Sequence, residues 1–483
     1  MNSRPMLSCV VLIVVLAKIV PAYAQTEAPS FYFEQKLSAI LSQRGLTSSE
    51  VARRAIESSF ELHGKHEQVL RAQLDVKQAL LGFFPRINLI GKYTRKSEII
   101  PSITGHIVVA NKAADGPLPA GAMLVQVPID SFPFGVPLNE FFGVTTLSVP
   151  LSDYLLKLTE AYRAAQHSAR AAQLTEVSAR LKVARDARIL FYNWVDAKLK
   201  LVVAEQALDN IKGRALDVAR LFEAGRASQA DVASLNARVA GAELLIQKTR
   251  DLIVATEQEL STAMHYSGRT NWVVGEDVRQ MPAVPSDLDN IDQLCEEAIR
   301  QRLELRIMSA NRDSLRAQAG SIRGGALPRI DAAGSAVYAN PNPRYFPPEP
   351  MFHGSWEVSV QLSWSPNDIA GAILSSRSLD ARAREVEAQE AAFRDVLRNV
   401  VTRAWLGFRE ALVAVQTSSR ELESAEESYS ARRGLFQVGR STSVELMDAE
   451  TGLTRARIDL INSRIASRVA LVELLYAVGR DVL

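Results

Sequence analysis

Proline is the strongest helix breaker a chain has, and here its distribution leaves two long tracts uninterrupted. Of the 20 prolines, eight lie between Pro85 and Pro150 and seven between Pro328 and Pro366; none falls between Pro150 and Pro282 or after Pro366. In the first tract Leu190, Trp194, Ala197, Leu201, Ala204, Leu208, Ile211, Ala215, Val218 and Phe222 are spaced alternately by four and three, a sustained heptad seam. The second tract repeats the register as Ala404, Phe408, Ala411, Val415, Ser418, Leu422, Ala425 and Tyr429, which Arg432 interrupts before Phe436 restores it. The spacing predicts helices over about 153–222 and 368–436. At 1.5 Å per residue each is about 100 Å long, more than a compact domain of ordinary size accommodates.

Where these helices end, the two halves agree most closely. Leu221-Phe222-Glu223-Ala224-Gly225-Arg226 is matched by Leu435-Phe436-Gln437-Val438-Gly439-Arg440. A glycine there can take the left-handed conformation that terminates a helix. Three residues on, Ser228 and Thr442 are each followed at the third position by an acid, Asp231 and Glu445, which is the pattern of an N-cap with a capping box. Each half therefore reads as a helix hairpin, with returning helices over about 230–267 and 443–478, and the chain as an internal duplication.

The proline-rich islands correspond too. Phe84-Pro85-Arg86-Ile87-Asn88 leads to Gly91 as Leu327-Pro328-Arg329-Ile330-Asp331 leads to Gly334. Strands are expected over about 86–94, 141–150, 329–338 and 356–364. In the last, Trp356, Val358, Val360, Leu362 and Trp364 alternate with Glu357, Ser359, Gln361 and Ser363. A face of aliphatics bounded by tryptophan at both ends suits a lipid-facing barrel strand between aromatic girdles, with Glu357, Ser359 and Gln361 turned to the lumen. The offset between the halves is 243 residues at the first strand and 215 at the second, so 28 additional residues lie in the loop between Thr94 and Phe141. Long external loops are usual in such barrels. Four strands per chain leave open edges, which lipid does not tolerate, so other copies must complete the wall.

Arg4, the apolar run Met6–Val20 and Ala22-Tyr23-Ala24 read as a signal peptide over 1–24. Cys9 lies within it, and the remaining Cys295 alone forms neither an internal disulfide nor a cysteine zinc cluster. Residues 25–285 are then the first repeat, with 268–285 as the connector, and 286–483 the second. A net charge of +2 and 47% hydrophobic residues demand no nucleic-acid partner. No catalytic or cofactor constellation stands out. His63 and His66, flanked by Glu61 and Glu67, share a helix face but lack a third placed metal ligand.

These features together resemble the TolC-like outer membrane efflux protein family over nearly the whole chain after the leader. The segment Gly439-Arg440-Ser441-Thr442-Ser443-Val444-Glu445-Leu446-Met447-Asp448-Ala449-Glu450 is similar to that family's glycine-plus-acidic tip motif. The resemblance implies a mainly α protein with a small membrane β-barrel: a homotrimer whose 12-stranded barrel is continued by an α-helical tunnel in the periplasm of a Gram-negative bacterium. It implies an export duct working with a periplasmic adaptor and an inner-membrane pump or transporter. It also implies a periplasmic gate at Glu445 and Asp448, with Asp231 as the matching first-half acid, and adaptor contacts at Gly225, Arg226, Ala227, Gly439, Arg440 and Ser441. Phe436 stands where the family has a locking tyrosine, and Ser441 where it has arginine, Arg440 being one place early. A periplasmic coiled-coil scaffold outside the membrane is the competing expectation; it accounts for the heptads and not for the islands.

Overall fold

The computed structural model describes residues 45–98, 106–110, 117, 120–128, 137–268, 272–281, 284–346 and 348–481. The expected signal peptide lies outside them. Two short helices, α1 (Ser48–Ser58) and α2 (Phe60–Leu81), lead into strand β1 (Arg86–Arg95). A small hairpin, β2 (His106–Ala110) and β3 (Leu124–Pro128), sits inside the long loop and precedes β4 (Asn139–Val149). After one wide turn, Tyr154–Leu158, comes α3 (Thr159–Glu223), returning as α4 (Gln229–Ala263). The second half runs α5 (Ile291–Gln301), α6 (Leu303–Gly325), β5 (Arg329–Asn340), β6 (His353–Ser363), α7 (Pro366–Gln437) and α8 (Ser443–Val478). Pro366 opens α7 because its ring is already set for a helical φ and its missing N–H has no partner to lose there.

Strand propensity and polarity account for the four-stranded antiparallel sheet, ordered β1-β4-β5-β6. Helices leave it at one end, the end of Arg86, Val149, Arg329 and Ser363; at the other, loops join β1 to β4 and β5 to β6. The outer edges of β1 and β6 are unpaired among the described residues. Trp364 falls one residue past the end of β6, and α4 ends at Ala263, four residues short of the expected Ser267.

The core lies in the helices, below the sheet. α3 packs against α1, α2, α4, α6 and α8, and α7 against α5, α6 and α8. Trp194 and Phe191 of α3 are fully buried in one cluster with Val51 and Ala55 of α1, Val274 of the connector and Ile465 of α8. A second cluster joins Leu294 of α5, Leu397, Val401 and Phe408 of α7, and Leu474 and Val478 of α8. The connector is woven into this belt. Leu46 bridges Val274 in parallel, and a side chain at Gly45 would come within 2.5 Å of the Gly275 nitrogen, so only glycine permits the approach. Arg468 of α8 donates to the Glu276 carboxylate at 2.5 Å and to the carbonyls of Asp277 and Gln280 at 3.0 and 2.8 Å. Arg480, near the chain end, is bound by Glu297 at 2.8 Å and Asp287 at 2.6 Å, which hold its guanidinium firmly charged.

Candidate functional site

Register decides the faces of the sheet. Ile87 pairs Leu147, Leu147 pairs Gly334 and Gly334 pairs Val358; the next row outward runs Leu89, Thr145, Ala336 and Trp356. Ala332 pairs Val360, and Ile330 pairs Leu362. Since side chains alternate along a strand, Trp356, Val358, Val360 and Leu362 share one face with these partners, all apolar except Thr145. They are 68–74% exposed in a single chain. At the loop end of the same face Tyr93, Phe141, Phe352 and Tyr338 form a run of ring contacts 5.0 to 5.9 Å between centroids. That is an aromatic girdle assembled from all four strands or their ends.

The opposite face carries Glu357, Ser359 and Gln361, with Asn88, Thr146 and Ser335 in register with Glu357. It is not polar throughout. Ile90, Val144 and Val337 form an adjacent apolar row on this face. The alternation of single strands did not single them out.

At the other end of the helices the two hairpin tips repeat one another. Gly225 and Gly439 have φ of +71° and +72°. The Arg226 N–H donates to the Leu221 carbonyl at 2.7 Å and the Arg440 N–H to that of Leu435 at 2.9 Å, while Gly225 and Gly439 bond back to Phe222 and Phe436. Both are Schellman turns. Gly225, Arg226, Gly439 and Arg440 are exposed; Ala227 and Ser441 are half-buried. Both capping boxes form: Asp231 accepts from the Ser228 N–H at 2.9 Å, and Glu445 from that of Thr442 at 3.2 Å.

The acids differ in their surroundings. Glu445 also accepts from the Ser441 hydroxyl at 2.7 Å and meets the Arg432 guanidinium at 3.2 Å. The arginine that interrupts the second heptad seam thus reaches across the hairpin to the cap. The Ser441 hydroxyl, the Thr442 N–H and Arg432 hold the Glu445 carboxyl below the usual carboxylate range, and Ser228 does the same for Asp231. Asp448 faces solvent and lies 3.7 Å from Arg238 of α4, an ion pair between the two hairpins. Its neighbours Leu446 and Met447 point inward, Met447 against Val218 and Leu235.

Glu450, one turn further along α8, is an acid the spacing did not single out. It is 5% exposed and borders a cavity of about 430 Å³ between α3, α4 and α8, with Arg214, Arg238 and Leu235 among the lining. Burial pushes its carboxyl up against the opposing pull of Arg214 and Asn210. Among the described residues no group of histidines, cysteines or acids is arranged to hold a metal ion. His66 instead lies 3.1 Å from Glu176.

The two-faced sheet continued by long helix hairpins is an architecture found in solved outer-membrane channels. Solved structures share it at low sequence identity: CusC (TM-score 0.72, 15% identity, 90% of this chain and 92% of that one), the Campylobacter jejuni CmeC outer membrane channel (0.68, 13%, 89% and 85%) and the open state of the Neisseria gonorrhoeae MtrE outer membrane channel (0.69, 14%, 90% and 89%). Residues 294–480 match the model of the family described as Outer membrane efflux protein. That match lies within the second half of the chain, and across about nine-tenths of its length the chain shares the fold of these channels. No curated protein sequence matches the chain significantly.

Proposed function

We propose that three copies of the chain close their sheets into one 12-stranded barrel in the outer membrane and join their helices into a periplasmic tunnel, the exit duct of a tripartite efflux or secretion system. The observation that carries this reading is the sheet itself, which has one largely apolar face and, among the described residues, two unpaired edges. In lipid such edges must be paired, and closure around a three-fold axis pairs both. A periplasmic scaffold needs neither an outward aromatic girdle nor exposed Trp356, Val358 and Val360.

The tips at Gly225, Arg226, Ala227, Gly439, Arg440 and Ser441 then meet hairpins of a periplasmic adaptor, which links the duct to an inner-membrane pump or transporter. Glycine turns let a partner backbone approach, and the two arginines offer directed donors. Glu445 and Asp448, three residues apart on the exposed side of α8, become six carboxylates around the axis, with Asp231 beside the first tip. Each acid has an arginine beside it, Arg432 at 3.2 Å from Glu445 and Arg238 at 3.7 Å from Asp448, so both carboxylates of the ring are partly balanced. Carboxylate rings select cations and are blocked by multivalent ones.

Purified protein in detergent is expected to run as a trimer that carbonate does not strip from membranes, and in planar bilayers to form cation-selective channels blocked by trivalent ions. Glu445→Gln with Asp448→Asn is expected to abolish selectivity and block while trimers remain. A carbonate-soluble monomer would overturn the duct; unchanged selectivity and block would remove the acids from the pore.

A further inference from the structure

The start of the segment joining β5 to β6, residues 341–346, does not continue outward from the sheet. It folds back over the face that carries Glu357, Ser359 and Gln361. Three contacts establish this, each to a residue of that face. Asn342, 1% exposed, donates from its amide to the Ser355 hydroxyl at 3.0 Å and to the His353 carbonyl at 2.9 Å. Arg344 lies 3.0 Å from the Glu357 carboxylate and 3.3 Å from the Trp356 carbonyl. Tyr345 stacks on the His353 ring with centroids 4.3 Å apart.

Phe352, by contrast, belongs to the outward aromatic run. Residues 341–346 include two prolines, Pro341 and Pro343. Fixed φ values lower the entropy a loop loses when it holds one shape. Beneath it, a cavity of about 500 Å³ separates Pro341, Pro343 and Tyr345 from Lys96, Glu140 and Phe142 at the loop end of β1 and β4. The segment thus stands off the wall toward the space that the barrel would enclose.

We infer that this segment is an outer constriction of the duct, held against the lumen wall by Asn342 and the Arg344–Glu357 pair, and that it sets the width of what passes the mouth. The inference rests on the proposed barrel, because only closure turns that face into a lumen. Three copies around the axis then narrow the mouth from three sides. The pinning contacts differ in strength. Arg344 and Glu357 are both more than half exposed, so their pair is weak and breakable, whereas Asn342 is a buried anchor.

The test places a single reactive cysteine below the segment, Ser359→Cys in a Cys295→Ser background, and labels intact cells from outside with a small maleimide and with a polymer-linked one. In the parent the polymer reagent is expected to react slowly relative to the small one. Arg344→Ala and Glu357→Gln are each expected to raise the polymer rate about two- to five-fold, the range that an exposed ion pair commands. Asn342→Ala is expected to raise it roughly tenfold through loss of buried hydrogen bonds, with the small-reagent rate unchanged in all three. Equal rates for the two reagents in the parent, or no change in any variant, would overturn the constriction while leaving the duct intact. Failure of the small maleimide to reach Ser359→Cys from outside, with labelling restored in denaturant, would instead overturn the barrel on which the inference rests.

Discussion

The helices α3 and α7 carry the same heptad pattern and sit in opposite surroundings. α3 is enclosed by five other helices, and Phe191, Trp194 and Val195 are wholly buried. α7 is covered along one seam. Phe408, Ala411, Val415, Ser418 and Tyr429 are buried at heptad spacing, while Leu406 and Val413, one heptad apart on another side, are 51% and 62% exposed. The period of a helix tells which of its residues lie together and not how many neighbours surround it. In the proposed trimer the open side of α7 is where an adjacent subunit's helices would lie.

The comparison breaks most sharply at Trp194. Trp194→Ala removes a fully buried indole and its 3.2 Å hydrogen bond to Glu257, and is expected to destabilise each chain by about 3–5 kcal/mol. Leu406→Ala, on the open side of α7, is expected to stay within about 0.5 kcal/mol in the unassembled chain. Chemical denaturation followed by circular dichroism checks both; equal losses would show that α7 is as enclosed as α3.

A similar contrast holds between the faces of β6. Val360→Arg is expected to cost about 2–4 kcal/mol per chain and to deplete assembled trimers, whereas Ser359→Arg on the opposite face is tolerated. Outer-membrane trimer yield measures it, and equal assembly of the two variants would reverse the facing of the sheet.

The smallest effect is expected at the tips, on acidification. Asp231 and Glu445 have folded-state carboxyls held below the ordinary carboxylate range, so their caps are fully effective above that range. They are lost as pH falls through the lower folded values. Protection of the Ser228 and Thr442 amides, measured against the intrinsic exchange rate at the same pH, should therefore be lost only under acid conditions.

Much of this architecture was legible because it is local. Helix period, terminating glycines, caps and strand alternation each depend on residues within a few positions of one another, and the duplication makes each half a check on the other. The alternation Trp356 to Leu362 is one strand's own property, and the Gly225 and Gly439 turns are closed by residues five positions away. What lay beyond such reach was the shorter helices α1, α2, α5 and α6, whose place comes from packing on α3 and α7, and the β2–β3 hairpin in what reads as a plain loop. Arg432, an interruption in the heptad, becomes a partner of Glu445 only once the hairpin closes.

The sequence by itself determined two long paired helices, their tips and a two-faced strand, because hydrophobic period and backbone capping act along the chain. Only the tertiary structure decided which helix is enclosed, how the connector is held, and which way the β5–β6 segment turns. Those outcomes depend on groups far apart in sequence, such as Arg468 and Glu276, 192 residues apart, and on backbone direction at strand ends. They also depend on register, which set Ile90, Val144 and Val337 together on the face expected to be polar. A one-residue slip would have sent them to the other side.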